Sequence, residues 1–235
     1  MKVAGRQNGF TLVELLVVIA IIALLLSILM PALSQVQEGA KRTVCRSNLK
    51  QIYLGLTLYA ESYRYYPTAR GDYPYAGWID SANNMSYGLH ALSDIMLSKR
   101  KDDGYLTKDQ KKYFICPSAN KAWKELGQNA NDFPYWYFGR LPVDWYVEAE
   151  PAWTVESPMS SGKLLLVMDL AISEWRKYAL RQDTIYINHT NGKIKGSNQL
   201  FNDGHASWKP VQQLQKRRWY SGSKNNRGWY QDVWW

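Results

Sequence analysis

Apolar residues run almost without interruption from Phe10 to Met30, 21 positions that carry one charge, Glu14. At the helical rise this is about 31 Å, close to one bilayer core, so the segment is long enough to span a membrane. Beyond it the pattern changes to a stripe: Cys45, Leu49, Ile52, Leu56, Tyr59 and Tyr63 are spaced by three and four residues and line one helix face. Pro31 removes one backbone donor and predicts a kink without a break. Pro67 ends the helix, because the residue before a proline is driven out of the α region. One helix of about 54 residues, about 80 Å long, is predicted. From Pro67 to Asn84 the chain is rich in Pro, Gly, Tyr and Asn and reads as irregular. Short strands are predicted at Tyr113–Cys116, Lys163–Met168, Thr184–Asn188, Gln199–Asn202 and His205–Trp208. Residues 121–158 have weak periodicity and support no assignment. The class is α+β, a long helix packed on a small antiparallel sheet.

The carboxylate inside the apolar run narrows the choice of N-terminal signal. A secretory signal ends its apolar stretch after about 7–15 residues and follows it with a small-residue cleavage site, neither of which is present. A plain anchor has no use for Glu14, since an acidic residue near a helix centre costs about 2.5–3.5 kcal/mol on insertion scales.

The string Gly9-Phe10-Thr11-Leu12-Val13-Glu14-Leu15-Leu16-Val17-Val18-Ile19 resembles the cleavage and methylation signal of type IV prepilins and type II secretion pseudopilins. The resemblance implies a cut by the prepilin peptidase between Gly9 and Phe10, N-methylation of Phe10, and a fold of pilin type. It also implies that Glu14 neutralises the amino terminus of a neighbouring subunit during filament assembly. Two opposite charges in low dielectric attract strongly, and either one alone is costly there. Flanking charge does not set the orientation, because Lys2 and Arg6 on one side face Lys41, Arg42, Arg46 and Lys50 on the other. The resemblance implies the orientation instead, with the body outside the cytoplasm.

The body resembles prepilin-type proteins with an H-x-DG C-terminal motif, known from planctomycete-type bacteria. The residues that carry this likeness are Cys45-Arg46-Ser47-Asn48-Leu49-Lys50-Gln51-Ile52, Tyr59, Tyr66-Pro67, Phe114-Ile115-Cys116-Pro117 and Phe201-Asn202-Asp203-Gly204-His205. The spacing departs from that pattern: thirteen residues separate His189 from Asp203 where the family has nine, and 191–197 reads as an enlarged turn. The organisation that follows is a leader at 1–9, a membrane or filament-core helix at 10–30, its amphipathic continuation at 31–66, and an extracytoplasmic domain at 67–235.

Composition adds a partner class. The 11 Trp and 17 Tyr exceed what one core of this size needs, so many rings are expected at surfaces. The formal charge is +9. After Trp208 the tail interleaves Lys209, Lys216, Arg217, Arg218, Lys224 and Arg227 with Trp219, Tyr220, Trp229, Tyr230, Trp234 and Trp235. Such a segment suits an anionic polymer, DNA or polysaccharide, or folds back to cover a sheet.

Candidate chemistry is sparse. His189, Asp203 and His205, joined by Asp169 at a strand end, form one cluster of ligating or acid-base residues. Asp203-Gly204 between two strand-like runs is accounted for by a type I′ hairpin turn, so no metal, cofactor or catalytic role is expected. Two cysteines, Cys45 and Cys116, are too few for a disulfide scaffold or a thiolate metal site. They are either a single bridge, contributing about 4 kcal/mol across a loop of about 70 residues, or two buried thiols.

The expected function is a structural, non-enzymatic pseudopilin-like subunit of a type II secretion or type IV pilus-related filament. Its partners are the prepilin peptidase, other pseudopilins and the inner membrane, which it crosses once. The alternative is a minor, surface-exposed pilin that binds DNA or polysaccharide.

Overall fold

The computed structural model describes residues 10–69, 77–80, 85–96, 114–119, 135–139, 158, 163–169, 172–175, 189, 195–221 and 229–234. Helix α1 runs from Leu12 to Tyr63, 52 residues, and continues through Pro31. It stops where Arg64 enters the left-handed region (φ 66°) and returns its N–H to the Ala60 carbonyl at 2.6 Å. That closure leaves Tyr66-Pro67 extended, as the proline requires.

The chain divides between Ala40 and Lys41 into two compact units. In the first, every large apolar side chain from Phe10 to Met30 is exposed. Among the described residues, this is the one helix long and apolar enough to cross a membrane.

In the second unit α1 buries Cys45, Asn48, Leu49, Ile52, Gly55, Leu56 and Ala60. The predicted stripe holds through Leu56 and then drifts. Ala60 takes the buried place, Tyr59 is partly buried against the core, and Tyr63 is 61% exposed with its ring 4.5 Å from that of Tyr59. The cause is the 3.6-residue period, which carries a face marked by alternating threes and fours slowly around the axis.

The stripe packs into a core with an antiparallel sheet of order β3-β4-β6-β7: Tyr135–Tyr137, Leu165–Asp169, Gly196–Phe201 and Ala206–Pro210. Strand β4 lies between β3 and β6, so Leu166, Val167, Met168 and Asp169 are all buried. Each large apolar side chain buried in this way contributes about 1.5–3 kcal/mol relative to exposure. The expected strands at Lys163–Met168, Gln199–Asn202 and His205–Trp208 correspond to β4, β6 and β7. Strand β6 begins at Gly196, inside the segment read as an enlarged turn.

Other expectations are corrected. Phe114–Cys116 is not a strand, because Pro117 occupies the second position of a turn closed by Ala119 N–H on the Cys116 carbonyl at 2.9 Å. The segment 67–84, read as irregular, holds strand β1 (Gly77–Asp80), which pairs with β2 (Met85–Gly88). The basic tail forms β8 (Lys216–Ser221) and β9 (Trp229–Trp234), joined by β5 (Ile172–Trp175) in a three-stranded sheet of order β5-β9-β8. Thr184–Asn188 lies outside the described residues.

The turn between β6 and β7 is also corrected. Among the described non-glycine residues Asp203 does not have positive φ, whereas Gly204 has φ 78°, which excludes the two-residue type I′ form. Phe201 and His205 bracket a three-residue loop, with Gly204 N–H on the Phe201 carbonyl at 3.0 Å and Phe201 N–H on the His205 carbonyl at 2.9 Å. This is the turn that ends in a left-handed glycine.

Candidate functional site

At the start of α1, Thr11 and Glu14 close a reciprocal cap. The Glu14 carboxylate accepts from Thr11 N–H at 2.8 Å and from the Thr11 hydroxyl at 2.7 Å, and Glu14 N–H reaches Thr11 Oγ1 at 3.3 Å. The signal in the sequence is T-x-x-E before an apolar run, a capping box, which the motif resemblance had overshadowed. Glu14 therefore has a local role in the single chain besides any role between chains.

The second site is internal. Cys45 from α1, Cys116 from the 114–119 turn, Asp169 at the end of β4 and His189 are all buried, and one ligating atom from each lies within 4.8 Å of all the others. Both thiols are free. Cys45 Sγ–H donates to Asp169 Oδ1 at 2.9 Å and lies 3.6 Å from the Tyr135 hydroxyl. Cys116 Sγ lies 3.3 Å from His189 Nε2, which is also 3.3 Å from Asp169 Oδ2. Strand β6 holds the carboxylate: Asn198 donates to Oδ2 from its backbone N–H at 2.9 Å and from Nδ2 at 2.8 Å. The Trp208 ring meets the imidazole edge-on with centroids 5.4 Å apart, and the Arg42 guanidinium lies 4.0 Å over the Trp208 ring.

The electrostatics follow from burial and mutual contact. Burial pushes the Cys45 thiol well up, and Cys116 and Asp169 beside it act in the same sense. Burial also opposes ionisation of Cys116, but hydrogen bonds from Cys45 and His189 outweigh it and hold that thiol below its ordinary value. Burial pulls the His189 imidazole down, while Asp169 and Cys116 more than reverse this and push its pKa up to about 10. The cluster therefore eases ionisation of Cys116 and makes His189 hold its proton more tightly than a free imidazole does.

The sequence grouped His189 and Asp169 with Asp203 and His205; the structure regroups them. Asp203 and His205 lie exposed at the β6–β7 turn. There Asp203 Oδ1 accepts His205 N–H at 2.9 Å, and Lys163 stands 3.9 Å from Oδ2. Asn202 ties the same turn to the entry of β4 by exchanging hydrogen bonds with Leu164 at 2.9 and 3.0 Å. Its carbonyl accepts the Tyr53 hydroxyl of α1 at 3.2 Å, and a Cβ at Gly204 would collide with the Tyr53 ring. The Asn-Asp-Gly-His segment is thus a structural dock for α1. The association of the cysteines with an acid and an imidazole is what sequence spacing could not give, since 144 positions separate Cys45 from His189.

Two family models match. Residues 5–30 match the prokaryotic N-terminal methylation motif, and residues 34–169 match a family described as protein of unknown function (DUF1559). The chain belongs to the DUF1559 family. Cys45, Cys116 and Asp169 fall within the DUF1559 match, and His189 lies beyond its end.

Curated relatives are similar over the N-terminal part. The type IV major pilin protein PilA of Myxococcus xanthus is 38% identical over 61 residues, 26% of this chain and 28% of the pilin. The type II secretion system core protein G of Pseudomonas aeruginosa is 33% identical over 67 residues, 28% of this chain and 47% of the relative. That of Escherichia coli is 35% identical over 68 residues, 29% and 47% of the two chains. The chain thus spans less than half the length of each of these relatives. No solved structure matches at a significant level. This DUF1559 chain is pilin- or pseudopilin-like in its methylation motif and long N-terminal helix.

Proposed function

We infer that the protein is a pseudopilin-like structural subunit of a type II secretion or type IV pilus-related filament. The prepilin peptidase cuts between Gly9 and Phe10 and methylates Phe10; the helix anchors the chain once in the inner membrane, with the body in the periplasm or at the cell surface. The subunit assembles with other pseudopilins through the apolar half of α1 and performs no catalysis. The observation that carries this reading is the exposed apolar run Phe10–Met30, with Glu14 near its start, inside a matched methylation motif. So large an apolar surface requires lipid or other helices around it.

The Thr11–Glu14 cap makes the assembly role separable from the structural one. Glutamine at Glu14 keeps the capping hydrogen bonds and loses the charge, while alanine loses both. Cells carrying Glu14→Gln or Glu14→Ala are expected to process the leader normally and to leave the subunit in the membrane, outside sheared or pulled-down filaments. Gly9→Ala is expected to accumulate the uncut precursor. Normal incorporation of Glu14→Gln would contradict the charge-pairing role.

A further inference from the structure

We propose that Cys45, Cys116, Asp169 and His189 bind one structural zinc-class metal ion in the extracytoplasmic domain. Zinc bonds of about 2.0–2.3 Å in a tetrahedron place neighbouring ligand atoms about 3.3–3.8 Å apart. The separations of 2.9 Å for Cys45 Sγ to Asp169 Oδ1, and 3.3 Å from His189 Nε2 to both Cys116 Sγ and Asp169 Oδ2, lie at or just below the short end of that range, and all four donors lie within 4.8 Å of one another. Binding asks the Cys45–Asp169 contact to open by a few tenths of an ångström as the donors turn toward a common centre.

Polar groups crowd one ring nitrogen of His189, with Cys116 Sγ, Asp169 Oδ2 and Asn198 Nδ2 all within 3.3 Å of Nε2. Nε2 faces Asp169 Oδ2 at 3.3 Å, which calls for an N–H, and Asn198 Nδ2 at 3.2 Å, which calls for a lone pair. One ring nitrogen satisfies one of them. With its lone pair directed at a metal Nε2 becomes a ligand, and Asn198 keeps its two bonds to Asp169 Oδ2. Oδ1 is left on the side of Cys45, so the carboxylate is oriented by strand β6 in the manner of outer-shell partners at metal sites.

The donor types select the metal. Two sulfurs, one imidazole and one carboxylate suit zinc and disfavour magnesium or calcium, which take oxygen ligands. All four residues are at most 1% exposed, so the coordination sphere has no open position for substrate, and the ion is structural. It would join α1, the 114–119 turn, β4 and His189, which is held at a left-handed φ of 56°. Binding displaces the thiol protons of Cys45 and Cys116 to solvent, and a third where the imidazole carries one; no electron transfer is involved.

The test uses the full chain, purified in detergent with its thiols protected. Elemental analysis is expected to give one zinc per chain. Cobalt(II) added to the chelated protein is expected to give thiolate-to-metal charge-transfer absorption and the visible bands of a tetrahedral site. The near-isosteric Cys116→Ser is expected to abolish the charge-transfer band or halve it and to lose stoichiometric zinc. Asn198→Ala, which keeps every ligand, is expected to weaken zinc by about 10- to 100-fold. Asp203→Asn, at the exposed turn, is expected to bind like the parent. Circular dichroism on each variant confirms folding. Reduced parent chain that takes up neither zinc nor cobalt would overturn the proposal. So would protein isolated from cells two hydrogens lighter than the reduced mass with no alkylatable thiol, since Cys45 and Cys116 would then be a disulfide.

Discussion

The two halves of α1 handle their surroundings in opposite ways. Between Leu12 and Ala40 the helix exposes its apolar side chains and satisfies the carboxylate within its apolar run locally, through the cap of Thr11 on Glu14. From Lys41 to Tyr63 it buries one face, and Cys45 on that face touches a carboxylate 124 residues away. A continuous helix thus serves two environments because helical hydrogen bonds are satisfied within the segment, leaving side chains alone to decide what surrounds each half. The first half is complete as an element and incomplete as a surface. The second is complete only in the company of the sheet.

Substitutions can break this contrast, beginning with the largest effect. Asp169→Ala leaves His189 and Cys45 buried without their carboxylate and is expected to destabilise the domain by about 3–5 kcal/mol. Urea unfolding of the full chain in detergent, followed by near-ultraviolet circular dichroism, measures it. By the same assay Leu49→Ala is expected to lose about 2–5 kcal/mol as a buried cavity forms. Leu25→Ala, one helix half away and exposed, is expected to shift domain unfolding by less than about 0.5 kcal/mol. Equal losses from Leu49 and Leu25 would remove the distinction between the halves. Gly204→Ala forces a side chain into the left-handed region and against Tyr53, and is expected to destabilise by at least about 1–2 kcal/mol. Thr11→Ala is expected to cost about 1 kcal/mol of local helix stability, seen as faster amide exchange in the first turn with the domain unchanged.

The same contrast explains what was legible in the sequence. The apolar run, Glu14 and the stripe from Cys45 to Leu56 depend on periodicity within one element, and all were readable. So were β4, β6 and β7, where short apolar runs stand between turn residues. Tyr135–Tyr137 was lost in a stretch whose aromatic residues carry no alternation, and it is fixed as a strand by pairing with β4. The strand expected at Tyr113–Cys116 fails over its described residues 114–116, because its apolar pattern takes no account of the turn that Pro117 imposes. The internal site was the least legible. Its four residues come from separate parts of the chain, and only the packing of α1 on the sheet brings Cys45 to Asp169. Asp203 and His205 were attractive for the opposite reason, being near in sequence, and they proved to be the exposed end of a docking turn.

The N-terminus of the chain recovered from membranes tests the account most directly. Intact-mass and peptide mass spectrometry are expected to find the mature protein beginning at Phe10 with one added methyl group on its α-amino nitrogen. A chain in the same membranes that begins at Met1, or that is cut within or after the apolar run, would contradict the reading of this helix as a filament subunit's.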